Sequence, residues 1–228
     1  MAEPPGPVLM VHGGGGGAWE WAVWRGVFES AGLRVHAPDL QPAAGGLEAT
    51  GLRDYLAQVR AALEALPKPR AVVGASLGGL LASACADAAD ALVVVNPLPP
   101  APWHARLPAR EWPAVVPWQR NARLTGTRAA LPDADEATAL FAFRHWRDES
   151  GRAMREAQAG LAVPRPGCPV LCIASMADED VPPALTAALA REWDASLLRA
   201  QAASHVGPLL GRGAADCAAQ ALAWLSAR

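Results

Sequence analysis

The feature that most constrains the fold is a serine flanked by glycines where an apolar run meets a helical pattern. Residues 74–78 read Gly-Ala-Ser-Leu-Gly, the form G-x-S-x-G. The apolar run 70–75 leads into Ser76, and a segment of small residues, 80–89, follows it. This order is typical of a buried strand that turns sharply into a helix, with strained backbone angles at the serine and glycines that allow close approach. The motif predicts a parallel sheet with a nucleophile at its carboxyl edge.

Short apolar runs alternate with helical patterns through most of the chain. The expected strands are 7–11, 33–37, 70–75, 91–96, 169–174 and 196–200. The clearest helical patterns are 19–31, 52–66 and 214–226. This alternation predicts βα units in a three-layer α/β/α fold, with a mostly parallel sheet of about six strands. At 228 residues the chain fits a single domain, 1–228.

Residues 97–166 interrupt this alternation. They contain no clear strand and many prolines, and only 135–161 has a helical pattern. An insertion of about 70 residues is too long for an ordinary loop, so we expect a lid over the carboxyl edge of the sheet. The lid tryptophans either line an apolar pocket or form a small core of the lid itself. They are Trp103, Trp112, Trp118 and Trp146.

Two further segments carry catalytic residue types, and each follows an expected strand. Asp178 lies after the fifth strand and His205 after the sixth. With Ser76 they give the order Ser, acid, His, in which the histidine deprotonates the serine and the acid orients the imidazole. Asp180 lies two residues after Asp178 and remains an alternative for the acid.

The first expected strand ends in His12, which is followed by five glycines. A glycine turn leaves backbone N–H groups free to bind an oxyanion. We expect one donor from this turn, Gly14 or alternatively Gly13, and a second from Leu77, directly after the nucleophile. His12 and Asp39 are expected to organise the turn and its neighbouring loop rather than to transfer protons.

These landmarks resemble those of the α/β-hydrolase superfamily: VHGGGGGAWEW, PDL, GASLGG, DEDVP and SHVG. The opening stretch, 9–39, looks most similar to small esterases related to plant methylesterases and hydroxynitrile lyases. The resemblance implies a serine hydrolase, and the family's spacing of acid, two residues, Val-Pro selects Asp178 over Asp180. The chain departs from the family in lacking two leading strands, since only about six residues precede the first strand.

The leading functional hypothesis is metal-free and cofactor-free hydrolysis of a small carboxylic ester through an acyl-enzyme. Thioesterase, lactonase and C–C bond hydrolase activities use the same triad and remain alternatives, as does a non-catalytic ligand-binding protein on the same fold. Dehalogenation is excluded because that chemistry uses an aspartate where this chain has Ser76. Cyanohydrin cleavage by the related lyases needs a lysine in the lid. The single lysine, Lys68, precedes the nucleophile strand, so that reaction is disfavoured.

The composition restricts the classes of molecule that the protein is expected to bind. Lys and Arg total 20 against 22 Asp and Glu, and the basic residues are scattered, so we expect neither nucleic acid nor membrane as a partner. The aromatic residues of the lid instead favour a small-molecule substrate with apolar groups. Segment 1–7 lacks the basic start of a signal peptide, which favours a cytoplasmic protein. No CxxC pair or metal-ligand spacing occurs, so the cysteines are expected to be reduced and structural. They are Cys85, Cys168, Cys172 and Cys217.

Overall fold

The computed structural model describes residues 6–228, with a parallel sheet at its centre. The strands of the described chain are Val8–Val11 (β1), Val35–His36 (β2), Ala71–Ala75 (β3), Ala91–Val95 (β4), Val115–Val116 (β5), Glu149–Ser150 (β6), Val170–Ser175 (β7) and Ser196–Ala200 (β8). Six of them form one sheet in the order β2-β1-β3-β4-β7-β8, and every neighbouring pair is parallel. The predicted fold class is therefore confirmed. Residues 1–5, part of the segment used to argue against a signal peptide, lie outside the described residues.

Helices cover both faces of this sheet. The α-helices are Ala22–Ser30 (α1), Leu52–Glu64 (α2), Leu77–Ala84 (α3), Leu124–Ala130 (α4), Glu136–His145 (α5), Gly151–Ala159 (α6), Pro183–Glu192 (α7), Gly207–Leu210 (α8) and Ala214–Ser226 (α9). The helix expected at 19–31 begins instead as a 3-10 turn, Ala18–Trp21, which continues into α1.

The alternating side chains of β1 show how the three layers are held together. Leu9 and Val11 pack into the core shared with α2, α3 and α7, whereas Val8 and Met10 pack into the core shared with α1 and α9. Burying one such aliphatic side chain contributes about 1.5–3 kcal/mol. Because both faces are covered, the central strands are continuous apolar runs rather than alternating patterns.

The lid differs from its sequence-based prediction in two ways. Residues 97–166 do contain strands, because β5 and β6 pair antiparallel, and the pattern at 135–161 is two helices, α5 and α6, rather than one. The break has a local cause: the chain turns to an extended conformation at Trp146, and the Ser150 side chain accepts the N–H of Ala153, which caps a new helix. The short helix α4 also forms in the proline-rich part that was expected to lack one.

Two further predictions concern membrane-spanning helices and the redox state of the cysteines. Within residues 6–228, no helix is long and apolar enough to cross a membrane. All four cysteines are free, as expected. Burial disfavours the thiolate and raises the pKa of Cys172 and of Cys217 to about 12, which is characteristic of unreactive structural cysteines.

Candidate active site

Ser76 lies at the junction of β3 and α3, on a strained turn. Its backbone has φ 53° and ψ −120°, a left-handed region that residues with a side chain rarely adopt. The flanking glycines are required by space: a Cβ on Gly74 would lie 2.2 Å from the Gly78 carbonyl oxygen, and one on Gly78 would lie 2.2 Å from that of Val11. The predicted nucleophile turn is therefore built by close backbone contacts.

Asp178 and His205 are brought together after β7 and β8. His205 Nδ1 lies 2.7 Å from Asp178 Oδ2. The second carboxylate oxygen, Oδ1, accepts the backbone N–H groups of Asp180 at 2.8 Å and Val181 at 2.9 Å. Both oxygens of this buried carboxylate are thus engaged, which fixes the orientation of the imidazole. Asp180, the alternative acid, instead forms a salt bridge to Arg110 of the lid at 2.8 Å.

The charges around His205 favour its protonated form. Burial lowers its pKa, but the hydrogen bond to Asp178 and the negative charges of Asp178, Asp180 and Glu20 outweigh that effect, so the pKa of His205 lies above its ordinary value. A base with these neighbours accepts a proton more readily than a free imidazole.

Two residues that the sequence analysis did not single out hold the histidine loop. Asn96, at the end of β4, donates to the His205 carbonyl at 2.6 Å and to Ser175 Oγ at 2.7 Å. Asp133, from the lid, accepts the Ser204 hydroxyl at 3.0 Å and the Ala203 N–H at 3.0 Å. An isolated Asn or Asp in a loop carries no motif, so their positions become apparent only in the folded chain.

The glycine turn after β1 lies against the nucleophile. A Cβ on Gly13 would lie 3.2 Å from Ser76 Cβ. The Gly13 N–H donates to Glu20 Oε2 at 3.1 Å, and the Gly15 N–H donates to Glu149 Oε2 at 3.0 Å. The N–H groups of Gly14 and of Leu77 have no acceptor among residues 6–228. These are the two groups that the sequence analysis expected as oxyanion donors.

His12 and Asp39 occupy supporting positions. His12 Nδ1 lies 2.8 Å from the Gly13 carbonyl oxygen, and Nε2 accepts the Leu40 N–H at 2.9 Å. Burial lowers the pKa of His12, which favours the neutral imidazole. Through its two ring nitrogens this imidazole joins the glycine turn to the loop after β2. Asp39 accepts the Ala18 N–H at 2.7 Å. Both contacts organise the turn.

A cavity of about 790 Å³ connects these groups with the lid. Ser76, Gly14 and His205 line it, and so do three of the four lid tryptophans: Trp112, Trp118 and Trp146. Trp103 does not line it and packs against the hydrophobic core, in the 3-10 turn Trp103–Arg106 that contacts α6 and α7. Three of the four lid tryptophans therefore line the cavity, and Trp103 does not.

The same cluster has the spacing of a metal site. Asp178, Asp180 and His205 each offer a ligand atom within 4.8 Å of the others, and it is the one such group found in the described chain. The hydrogen bonds of Asp178 to His205 Nδ1 and to the Asp180 N–H already explain why the three residues lie close together. The Ser76 hydroxyl makes no hydrogen bond to another group among residues 6–228.

The sheet order, the serine turn and the acid–histidine pair at the carboxyl edge define an α/β hydrolase. The chain belongs to the alpha/beta hydrolase family, whose family model matches residues 8–220. A search of curated proteins found no match.

Solved structures with the same fold are diverse. Polyneuridine aldehyde esterase superposes with a TM-score of 0.73 at 18% identity, covering 95% of this chain and 99% of that one. Tomato methylketone synthase I gives 0.75 at 15% identity, with coverage of 96% and 97%. The pyrethroid hydrolase PytH gives 0.72 at 21% identity, covering 97% of each chain. At these identities the likeness concerns the fold.

Proposed function

We propose that this protein is a serine hydrolase that cleaves a carboxylic ester through an acyl-enzyme on Ser76. The observation that carries the proposal is the 2.7 Å bond between His205 and the buried carboxylate of Asp178, in the wall of the cavity that Ser76 also lines. A strained serine and an oriented imidazole that line one cavity are the groups needed to activate a hydroxyl nucleophile.

The reaction divides into two similar steps. His205 takes the Ser76 proton as Oγ attacks the ester carbonyl, and Asp178 stabilises the resulting imidazolium. The N–H groups of Gly14 and Leu77 donate to the oxyanion, and the protonated histidine then gives its proton to the leaving alcohol. Water attacks the acyl-enzyme by the same route, with His205 again the base.

The cavity supports a substrate with a sizeable apolar group. Its volume of about 790 Å³ lies in the upper part of the range for ligand pockets, about 300–1,000 Å³. Its walls include Leu98, Trp118, Trp146, Met154 and Leu209. Esters with an apolar acyl or alcohol part fit these walls better than highly charged ones. The structural neighbours named as esterase and pyrethroid hydrolase are compatible with ester cleavage.

A panel of substrates tests the reaction type. The purified chain is assayed with p-nitrophenyl esters of increasing acyl length, matched thioesters, lactones and a β-diketone, in the presence of a chelator. We expect highest kcat/KM on an apolar ester and no effect of the chelator. Preference for a thioester, lactone or diketone would keep the triad but replace the substrate class. Absence of turnover on the whole panel would favour a ligand-binding protein.

A further inference from the structure

Glu20 is a buried acid in the wall of the candidate active site, and the proposed mechanism does not use it. Glu20 belongs to the 3-10 turn Ala18–Trp21, lines the cavity and is only 2% exposed to solvent. Within residues 6–228 it forms no salt bridge with Lys or Arg. An acid buried without a cationic partner is costly, so its retention beside a cavity calls for a specific role.

The carboxyl group of Glu20 supports the glycine turn directly. Its Oε2 accepts the Gly13 N–H at 3.1 Å. A Cβ on Gly16 would lie 2.2 to 2.4 Å from the carboxyl atoms, so the turn is folded closely over this group. The position of the turn is therefore tied to the Glu20 side chain by a hydrogen bond at one residue and by contact at another.

A second buried acid, Glu149 of the lid, holds the other side of the same turn. It accepts the Gly15 N–H at 3.0 Å and the Tyr55 hydroxyl at 2.6 Å. The donors on either side of Gly14 are thus occupied by carboxylates, while the Gly14 N–H keeps no protein acceptor among the residues described. This arrangement distinguishes Gly14 from Gly13 as the group that can bind an oxyanion.

Glu20 and His205 line the same cavity, so the charge of Glu20 bears on the imidazole. Burial disfavours the carboxylate and raises the pKa of Glu20 to about 7, against the opposing effects of the Gly13 N–H and of His205. The acids that raise the pKa of His205 are Asp178, Asp180 and Glu20. Asp180 is paired with Arg110, and Glu149 is not among the acids that raise the pKa of His205.

We propose that Glu20 is a positioning residue of this site: its carboxyl group holds the glycine turn so that the Gly14 N–H is free for the oxyanion, and its negative charge stabilises the imidazolium of His205. This role rests on the proposed serine-hydrolase function, and it adds to that function a residue outside the triad. No bond is made or broken at Glu20, which acts through Gly13 and His205.

Two substitutions separate the two parts of this role. Glu20→Gln keeps an oxygen that can accept the Gly13 N–H but removes the charge, whereas Glu20→Ala removes both. We expect Glu20→Ala to lower kcat on p-nitrophenyl butyrate by about 10²-fold, with little change in KM, since a misplaced oxyanion donor acts on the transition state. Glu20→Gln should recover most of kcat at alkaline pH.

The pH dependence gives a readout that a purely structural role would not change. Because the pKa of Glu20 is about 7, its charge favours the imidazolium at pH 7 and above. Without that charge a larger fraction of His205 is neutral in this range, so the acidic limb of kcat/KM in Glu20→Gln should move to lower pH. Glu149→Gln is the matched control, because it removes a buried carboxylate from the same turn and should leave the position of this limb unchanged.

Titration of the His205 imidazole by NMR in the full-length chain provides the same test without turnover. We expect a lower pKa of His205 in Glu20→Gln than in the wild type and in Glu149→Gln. An unchanged pKa, an equal shift in the control, or a Glu20→Gln variant as slow at alkaline pH as Glu20→Ala would overturn the proposal. If Glu20→Ala does not fold, the Gln variant and the titration decide. A wild type that neither hydrolyses esters nor reacts with a fluorophosphonate would contradict the proposed function instead.

Discussion

Asp133 and Ser204 join the lid to the histidine loop by a hydrogen bond of 3.0 Å. The other Asp133 oxygen accepts the Ala203 N–H, also at 3.0 Å. The residue that precedes the candidate base is therefore held by the lid and not by the sheet. Removing this support should displace His205 from its place beside Asp178.

The first prediction is that Asp133→Ala lowers kcat/KM for an ester by about tenfold, since small misplacements of a catalytic group are costly. Ser204→Ala keeps the bond from Ala203 and should have a smaller effect. Kinetics of the two variants, with thermal unfolding as a control for stability, check this ranking. Equal activity of Asp133→Ala and wild type would show that the lid does not position the histidine loop.

The acid of the proposed triad is tested by two matched substitutions. Asp178→Asn should lower kcat by about 10⁴-fold at neutral pH, because the amide favours the wrong imidazole tautomer. Asp180→Asn should have a mild effect, since Asp180 pairs with Arg110 and, among residues 6–228, the carboxylate bonded to the imidazole is that of Asp178. The opposite order would transfer the role to Asp180.

The pH profile follows from the environment of His205. The base must be neutral to accept the Ser76 proton, so activity is present above the pKa of His205 and is lost as pH falls through it. Since the Asp178 bond and nearby acids raise that pKa above 6.5, the midpoint of kcat/KM should lie above 6.5, with a plateau towards alkaline pH. Activity that falls as pH rises through this range would contradict general-base catalysis.

Trp118 offers the sharpest test of the lid as a specificity element. Its ring lies over the glycine turn, where a Cβ on Gly14 would come within 3.3 Å of it, and it lines the cavity. Trp118→Ala should change the ratio of kcat/KM values for short and long acyl esters by about tenfold. The reason is that apolar pocket contacts of about the size of a methylene group discriminate between substrates by roughly this factor or more. Trp103→Ala is the control, because Trp103 does not line the cavity. Equal changes in both variants would indicate altered lid stability instead.

Much of the framework was predictable because its signals are local. The strand runs, the serine motif and the segments around Asp178 and His205 each depend on neighbouring residues, and the structure brings these three residues to one sheet edge. The preference for Asp178 over Asp180 agrees with the observed hydrogen bond. The main sheet of residues 6–228 has six strands, as expected.

The remaining features depend on tertiary contacts that no local pattern records. Glu149 lies in the break between α5 and α6, and it accepts the Tyr55 hydroxyl and the Gly15 N–H, two groups distant in the sequence. Glu20 lies between two tryptophans in an apparent helix start, where its spacing alone predicts nothing about the glycine turn. Buried polar groups of this kind are set by their partners in the fold.

The central claim is that Ser76 is an activated nucleophile, and covalent labelling measures this most directly. The full-length protein and its Ser76→Ala variant are treated with a fluorophosphonate probe, and the modified residue is located by mass spectrometry, alongside ester turnover. We predict rapid labelling of the wild type at Ser76, none in Ser76→Ala, and a loss of kcat of about 10³-fold or more in the variant. Labelling at another residue, or a folded Ser76→Ala variant that retains most of its activity, would contradict the claim.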